Sequence, residues 1–265
     1  MSSADLQNVL LTRKAIRIDR GQRNEFDDRV IREIPIAMLY NGVSHAVMMA
    51  TPADLEDFAL GFSLSEGIVE NAAQFSFIET LQTDLGISLE IAIPQARFDL
   101  LRKRQRNLTG ASGCGICGVE SLQAALRPAP KVNSNQKFSV DEISAGVRIL
   151  SERQPLNAES GGVHAAGFVH GDGILVREDV GRHNALDKLI GAMAKENPGE
   201  GFLVLSSRAS YELVHKAAMA NIAVVVAISA PTSIAIQLAD SCGMTLVCFA
   251  RGEQMNVYTH SQRMI

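Results

Sequence analysis

No apolar run in the 265-residue chain is longer than the seven residues from Ile222 to Ile228. A helix that crosses a bilayer needs roughly 18 or more, so a helical membrane span is excluded. The N-terminal stretch MSSADLQNVLLTRKAIRIDRGQ scatters its charges and lacks both a long apolar region and a small-residue cleavage site, so no export signal is read there. Cysteine is scarce, at four residues, too few for a disulfide framework and in keeping with a reducing compartment, with the cytoplasm as the expectation. Neither sign of charge dominates: 25 Lys plus Arg stand against 29 Asp plus Glu, a net charge of -4. Such a balance speaks against a dedicated nucleic-acid binder. What is plentiful is apolar side chain, 46% of residues against 20% charged, which excludes general disorder and suffices for one large domain or two smaller ones.

The pattern divides the chain. Ile34, Ile36, Met38 and Tyr40 alternate, Asn41-Gly42 interrupts, and Val43, His45, Val47 and Met49 alternate again, the signature of a hairpin. Thr51-Pro52 then reads as an N-cap and first-turn proline for a helix through Leu55, Phe58, Ala59 and Phe62 up to Gly67. Leu85 to Ile93 alternates as a half-buried strand. Five basic side chains lie between Arg97 and Arg106, and glycines at 110, 113, 115 and 118 make the following segment a mobile loop. RPAPKVNSNQK, residues 127 to 137, is linker-like. In the C-terminal half, Val163 to Val169 and Ile174 to Val180 form a hairpin about Gly171-Asp172-Gly173, followed by a helix through Ala185, Leu189 and Met193. Buried strands at Phe202 to Leu205, Ile222 to Ile228 and Met244 to Phe249 alternate with helices at Tyr211 to Met219 and Ser233 to Ser241. Strands apolar on both faces, separated by helices, specify a parallel sheet between helical layers, a three-layer α/β architecture.

In such sheets, ligands sit beyond the carboxyl ends of the strands. Ser206-Ser207-Arg208, Ser229 with Thr232-Ser233, and Arg251-Gly252 all fall there, either as donors to a phosphate-bearing ligand or as simple helix caps. Arg177 to Asn184 packs charge between a strand and a helix. There His183 is a candidate acid, base or anion donor oriented by Asp179, or a surface histidine beside a cap. His164, in an apolar strand, reads as a core histidine. Cys114-Gly115-Ile116-Cys117 follows a basic stretch, and exposure with nearby positive charge favours the reactive thiolate. A zinc site completed by Cys242 and Cys248, a thioredoxin-like couple, and a persulfide carrier on a mobile loop are the three readings.

The strings TGASGCGICGVESL at 109 to 122, HAAG at 164 to 167, EDVGRHNALDKL at 178 to 189, SSRASYELVHKA from Ser206 and FARGEQMNVYTH at 249 to 260 resemble the FdhD family of formate dehydrogenase accessory sulfurtransferases. The stretch from Tyr40 to Ile68 has the same character. The resemblance implies a cytidine-deaminase-like α/β/α sandwich, usually a homodimer; with the linker-like segment as the boundary, a smaller N-terminal mixed α+β subdomain is expected over 1–130 and the α/β core over 131–265. It implies sulfur taken as a persulfide on Cys114, with Cys117 as its partner, from a cysteine desulfurase. That sulfur passes to the molybdenum cofactor of formate dehydrogenase in its bis-guanine-dinucleotide form, a bound substrate, with no resident metal. Phe249, Ala250, Arg251, Gly252, Glu253 and Gln254 map onto the family's cofactor-contact stretch, and Ser207, Arg208, Arg182 and His183 join them along the same edge. The chain lacks the His-x-Glu and Pro-Cys-x-x-Cys signature of zinc deaminases. The rival from another class is a chaperone that binds the cofactor without covalent sulfur chemistry.

Overall fold

The computed structural model describes residues 8–109, 128–171 and 173–265. The chain begins with a ribbon, β1 (Leu10–Asp19) and β2 (Gln22–Ile31), paired antiparallel across Arg20-Gly21, both at positive φ. Only its base is buried: Val9 and Leu10 pack with Leu156, Ile31 and Val163. The sequence pattern missed this ribbon, because most of its side chains are exposed and it carries no apolar period.

A four-stranded sheet follows, in the order β4-β3-β6-β5, from β3 (Ile34–Tyr40), β4 (Val43–Ala50), β5 (Ser76–Thr83) and β6 (Gly86–Ala92). The Asn41-Gly42 hairpin is as expected, with φ 48° and 77°, the double positive turn that matches strand twist. Asn41 also ties down the end of β6, accepting from Ile93 N at 2.9 Å. One face of the sheet supplies Ile36, Met38, Tyr40, Ile87, Leu89 and Ile91 to a core shared with Phe58 and Phe62 of α1 (Leu55–Ser65). The basic stretch lies on α2 (Gln95–Thr109).

The second unit is a six-stranded sheet in the order β12-β11-β10-β9-β7-β8. Its strands are β7 (His164–His170), β8 (Gly173–Asp179), β9 (Gly201–Leu205), β10 (Val224–Ala227), β11 (Thr245–Arg251) and β12 (Gln254–Thr259). β9, β10 and β11 are parallel, as the doubly apolar strands required, while β7, β8 and β12 run antiparallel to their neighbours. Helices α3 (Val140–Glu152), α4 (Pro155–Ser160), α5 (Arg182–Glu196), α6 (Tyr211–Met219) and α7 (Ser233–Cys242) complete the unit. A capping box between Ser139 and Glu142 starts α3, and no helix among the described residues is long and apolar enough to cross a membrane.

The two sheets are joined by α1 lying against α5. A Cβ at Gly61 would collide with the carbonyl oxygen of Asp187, and one at Gly191 with that of Asp57, so glycine at both positions is what lets the backbones meet. Thr51-Pro52 does not cap α1. The helix starts at Leu55 after Asp54 in the left-handed region, without a side-chain cap, because Thr51 is wholly buried and bonded to β8 and α5 instead.

Candidate functional site

The carboxyl ends of β9, β10 and β11, the start of β7 and the end of β8 share one edge of the six-stranded sheet. Adjacency is fixed by direct bonds: Ser206 N donates to Ala165 O at 3.0 Å, Ile228 N to Leu205 O at 3.1 Å and Phe249 N to Ser229 O at 3.1 Å. Every residue proposed from sequence for the cofactor, His183 and Arg182 at one end and Phe249 to Gln254 at the other, therefore lies on or beside this edge. At a strand spacing of about 4.8 Å, the four steps from β8 to β11 put the two clusters about 19 Å apart. They line one edge without forming one pocket.

At the β11 end, Phe249 is 41% exposed at φ 54°, and the pairing with β12 slips register between Cys248 and Arg251. A bulky residue in the left-handed region is strained, and here that strain turns the phenyl ring out to solvent. Arg251 is exposed and its Nε reaches back to Ile228 O at 3.3 Å; Gly252, at φ 57°, makes the turn into β12. Glu253 and Gln254 are exposed, and Ala250 is buried in the core. Next along the edge, Ser207 is buried with its hydroxyl donating to Arg208 O at 3.1 Å, and Arg208 faces solvent. Ser206 accepts from Ala165 N at 2.8 Å and Thr232 from Ala235 N at 3.3 Å, so these two hydroxyls hold backbone, as caps and struts do.

At the β8 end the charge density of Arg177 to Asn184 resolves into separate tasks. Glu178 accepts from Leu156 N and Asn157 N, both at 2.9 Å, and burial pushes its carboxyl up. Asp179, fully buried, does not touch His183. One oxygen accepts from Gly181 N at 2.8 Å and Asn184 Nδ2 at 3.0 Å, the other from Thr51 N at 3.0 Å and Lys188 Nζ at 2.7 Å. The N-cap of α5 is Gly181, which has no side chain to offer. Arg182 Nε and His183 Nε2 are buried atoms without a hydrogen-bond partner, and His183 Nε2 stands 3.9 Å from Glu212 Oε2. His164 is half-buried at the same corner, not sealed in the core. Burial, reinforced by the Arg182 charge, holds the pKa values of both His164 and His183 below the ordinary histidine value, so both rings are neutral near pH 7.

Beside this corner a cleft of about 300 Å³ opens between the two units, lined among others by Met48, Phe62, His183, Tyr211 and Lys216. Its floor is a buried ionic cluster that the sequence reading did not find. Lys216 Nζ donates to both Asp187 oxygens at 2.9 and 3.0 Å, to Glu66 at 2.9 Å and to Ser65 Oγ at 2.9 Å. Burial opposes the ammonium, and the Asp187 and Glu66 charges outweigh it, so the lysine stays protonated. The available signal was Asp187 in α5 and Lys216 in α6, charged residues inside otherwise apolar helical patterns, since buried charges occur almost only when paired.

Cys114 and Cys117 lie outside the described residues. Cys242 and Cys248 are buried, and burial pushes the Cys248 thiol up to about 12. An unreactive thiol inside a strand is a poor zinc ligand, and no group of three or more metal-ligating side chains exists among the described residues.

A mixed α/β protein with a donor-rich edge on its six-stranded sheet is the class that fold and site define. The chain belongs to the FdhD/NarQ family, whose model matches residues 31–265. It is 51% identical over 267 residues to the sulfur carrier protein FdhD of Xanthomonas oryzae pv. oryzae, covering 99% of this chain and 95% of that one. It is 48% identical to the protein of the same name from Cupriavidus necator, covering 96% and 90%. A crystal structure from Desulfotalea psychrophila, assigned to a formate dehydrogenase accessory protein, superposes with a TM-score of 0.75 at 25% identity over 97% of this chain and all of that one.

Proposed function

We propose that the protein is a sulfurtransferase of the cytoplasm. Cys114 accepts sulfur as a persulfide from a cysteine desulfurase, with Cys117 as its partner thiol, and delivers it to a molybdenum cofactor in the bis-guanine-dinucleotide form, bound as substrate, for formate dehydrogenase. In the loading step the Cys114 thiolate attacks the outer sulfur of the desulfurase persulfide, forming a new S–S bond while the bond to the desulfurase cysteine breaks and that cysteine leaves as a thiolate, so no external oxidant or reductant is needed. The observation that carries the reading is the placement of Arg182, His183, Ser207, Arg208 and Arg251 along one sheet edge, together with the sulfur-carrier name of relatives near 50% identity. An edge about 19 Å long, with arginines at both ends, suits an extended anionic ligand better than a compact one. The same reading includes the deaminase-like layering of 131–265, the subdomain boundary near residue 130, and a homodimer.

The deciding experiment is peptide mass spectrometry after incubation with cysteine and an active desulfurase, on the natural protein and on Cys114→Ala. A reducible gain of one sulfur on the Cys114 peptide, absent from the variant, is the expected result. No added sulfur on Cys114 or Cys117 overturns the carrier reading in favour of a cofactor chaperone.

A further inference from the structure

The turn that presents Arg182 and His183 has little to hold it locally. Its helix begins at a glycine, no side chain caps it, and the two presented groups keep buried nitrogens unbonded. What holds it comes from beneath. The Asp179 carboxylate is bonded through one oxygen to Gly181 N and Asn184 Nδ2 of the turn, and through the other to Thr51 N and Lys188 Nζ. Lys188 in turn donates to Thr51 O at 2.9 Å, Thr51 Oγ1 accepts from Val180 N at 3.2 Å, and Asn184 donates to Met49 O at 2.9 Å. Asp179 and Lys188 are both 0% exposed. A buried ion pair contributes little net stability over apolar side chains of similar volume. What a carboxylate supplies that an apolar residue cannot is four directed bonds at once, two into the turn, one to Thr51 of the neighbouring unit and one to Lys188 on α5 itself.

We propose that Asp179 and Lys188 are positioning residues: through Gly181, Asn184 and Thr51 they set the Arg182–His183 turn at the angle from which its guanidinium and imidazole meet an anionic ligand at the sheet edge. The inference rests on the reading of that edge as a ligand site, but the placement of the turn is measurable without any ligand. Burial is the first cause that lowers both neighbouring histidines, and Arg182 is the charge common to the two, with Glu212, Lys216 and Glu66 also facing His183, so a displaced turn alters both titrations.

The test compares the natural protein with Asp179→Asn, Lys188→Met and the charge-neutral double variant, using nitrogen-15 spectra of the histidine rings and of the Arg182 side chain, first alone and then with inorganic pyrophosphate. In the double variant, which leaves no buried charge unpaired, the pKa values of His164 and His183 are expected to rise toward the ordinary value. Pyrophosphate affinity is expected to fall tenfold or more. Should the double variant fail to fold, Asn184→Ala removes one strut without stranding a charge and carries the same expectations. Unmoved histidines with unchanged pyrophosphate affinity overturn the proposal and reduce the pair to a structural one. Histidines that move in the variants, while pyrophosphate perturbs no edge resonance even in the natural protein, support the positioning role and sink the ligand reading.

Discussion

Asp179 shows how a single side chain divides its acceptors among distant partners, and the energetic consequence is asymmetric. Lys188→Met removes the cation and strands a buried carboxylate, which costs about 3 to 5 kcal/mol; denaturant unfolding should show the midpoint fall accordingly. The double variant with Asp179→Asn is expected to recover much of that loss. Phe249 gives the opposite sign. Its φ of 54° is a conformation that glycine adopts freely, so Phe249→Gly is expected to raise stability by about 1 kcal/mol, read as a higher thermal midpoint. If the exposed ring is a ligand contact, affinity falls in the same variant. Individual side chains of this kind were only partly legible in the sequence: Arg251, Arg208 and His183 stood at strand ends, but nothing in the string said that Asp179 would turn away from His183 toward Lys188.

Among the elements, several with a clear period were placed correctly, but α3, which has a capping box and Ile143, Val147 and Leu150 at helical spacing, was not read at all. The Asn41-Gly42 hairpin, the three parallel strands and α6 fall where alternation and apolar runs put them, within a few residues. The Ile222 to Ile228 run forms a strand only over Val224–Ala227, and Ile222 N still bonds back to Ala217 O of α6. β1, β2, β5 and β12 were invisible, since exposed strands carry no apolar period. Replacing residues 13 to 28 with a two-residue turn is expected to leave the unfolding midpoint nearly unchanged, because the buried contacts of the ribbon lie at its base. Gly191→Ala acts on an element pair and is severe: its methyl group meets the Asp57 carbonyl, and forcing α1 from α5 costs about 3 kcal/mol, the upper end for overpacking.

For the molecule as a whole, pH is the informative variable. His45, His164 and His183 have pKa values depressed in the folded protein, burial first among the causes. The unfolded chain therefore binds protons that the folded one refuses, so stability is full above the ordinary histidine pKa of about 6.5 and declines as pH falls through and below it. Glu178, whose pKa is raised by burial, contributes in the opposite direction at more acidic pH. Urea midpoints at pH 7.5 and 6.0 should show the protein weaker at 6.0, and replacing the three histidines with glutamine should flatten the difference. A midpoint that rises on acidification over this range contradicts the assignment. At this scale the sequence conveyed two regions and a shared edge, while the ionic seam between them depended on contacts across more than 100 residues, such as Arg177 to Asp57 and Lys216 to Ser65.

That seam also dictates an order of events at birth. As the chain leaves the ribosome, Asp57, Ser65 and Glu66 emerge more than 100 residues ahead of Arg177, Asp187 and Lys216, the groups that complete them. The first half therefore waits with polar groups uncompensated and with Gly61 facing no partner helix. The native crossing closes only when translation is nearly finished, which makes the late-synthesised α5 and α6 the clasp that completes an early-synthesised half.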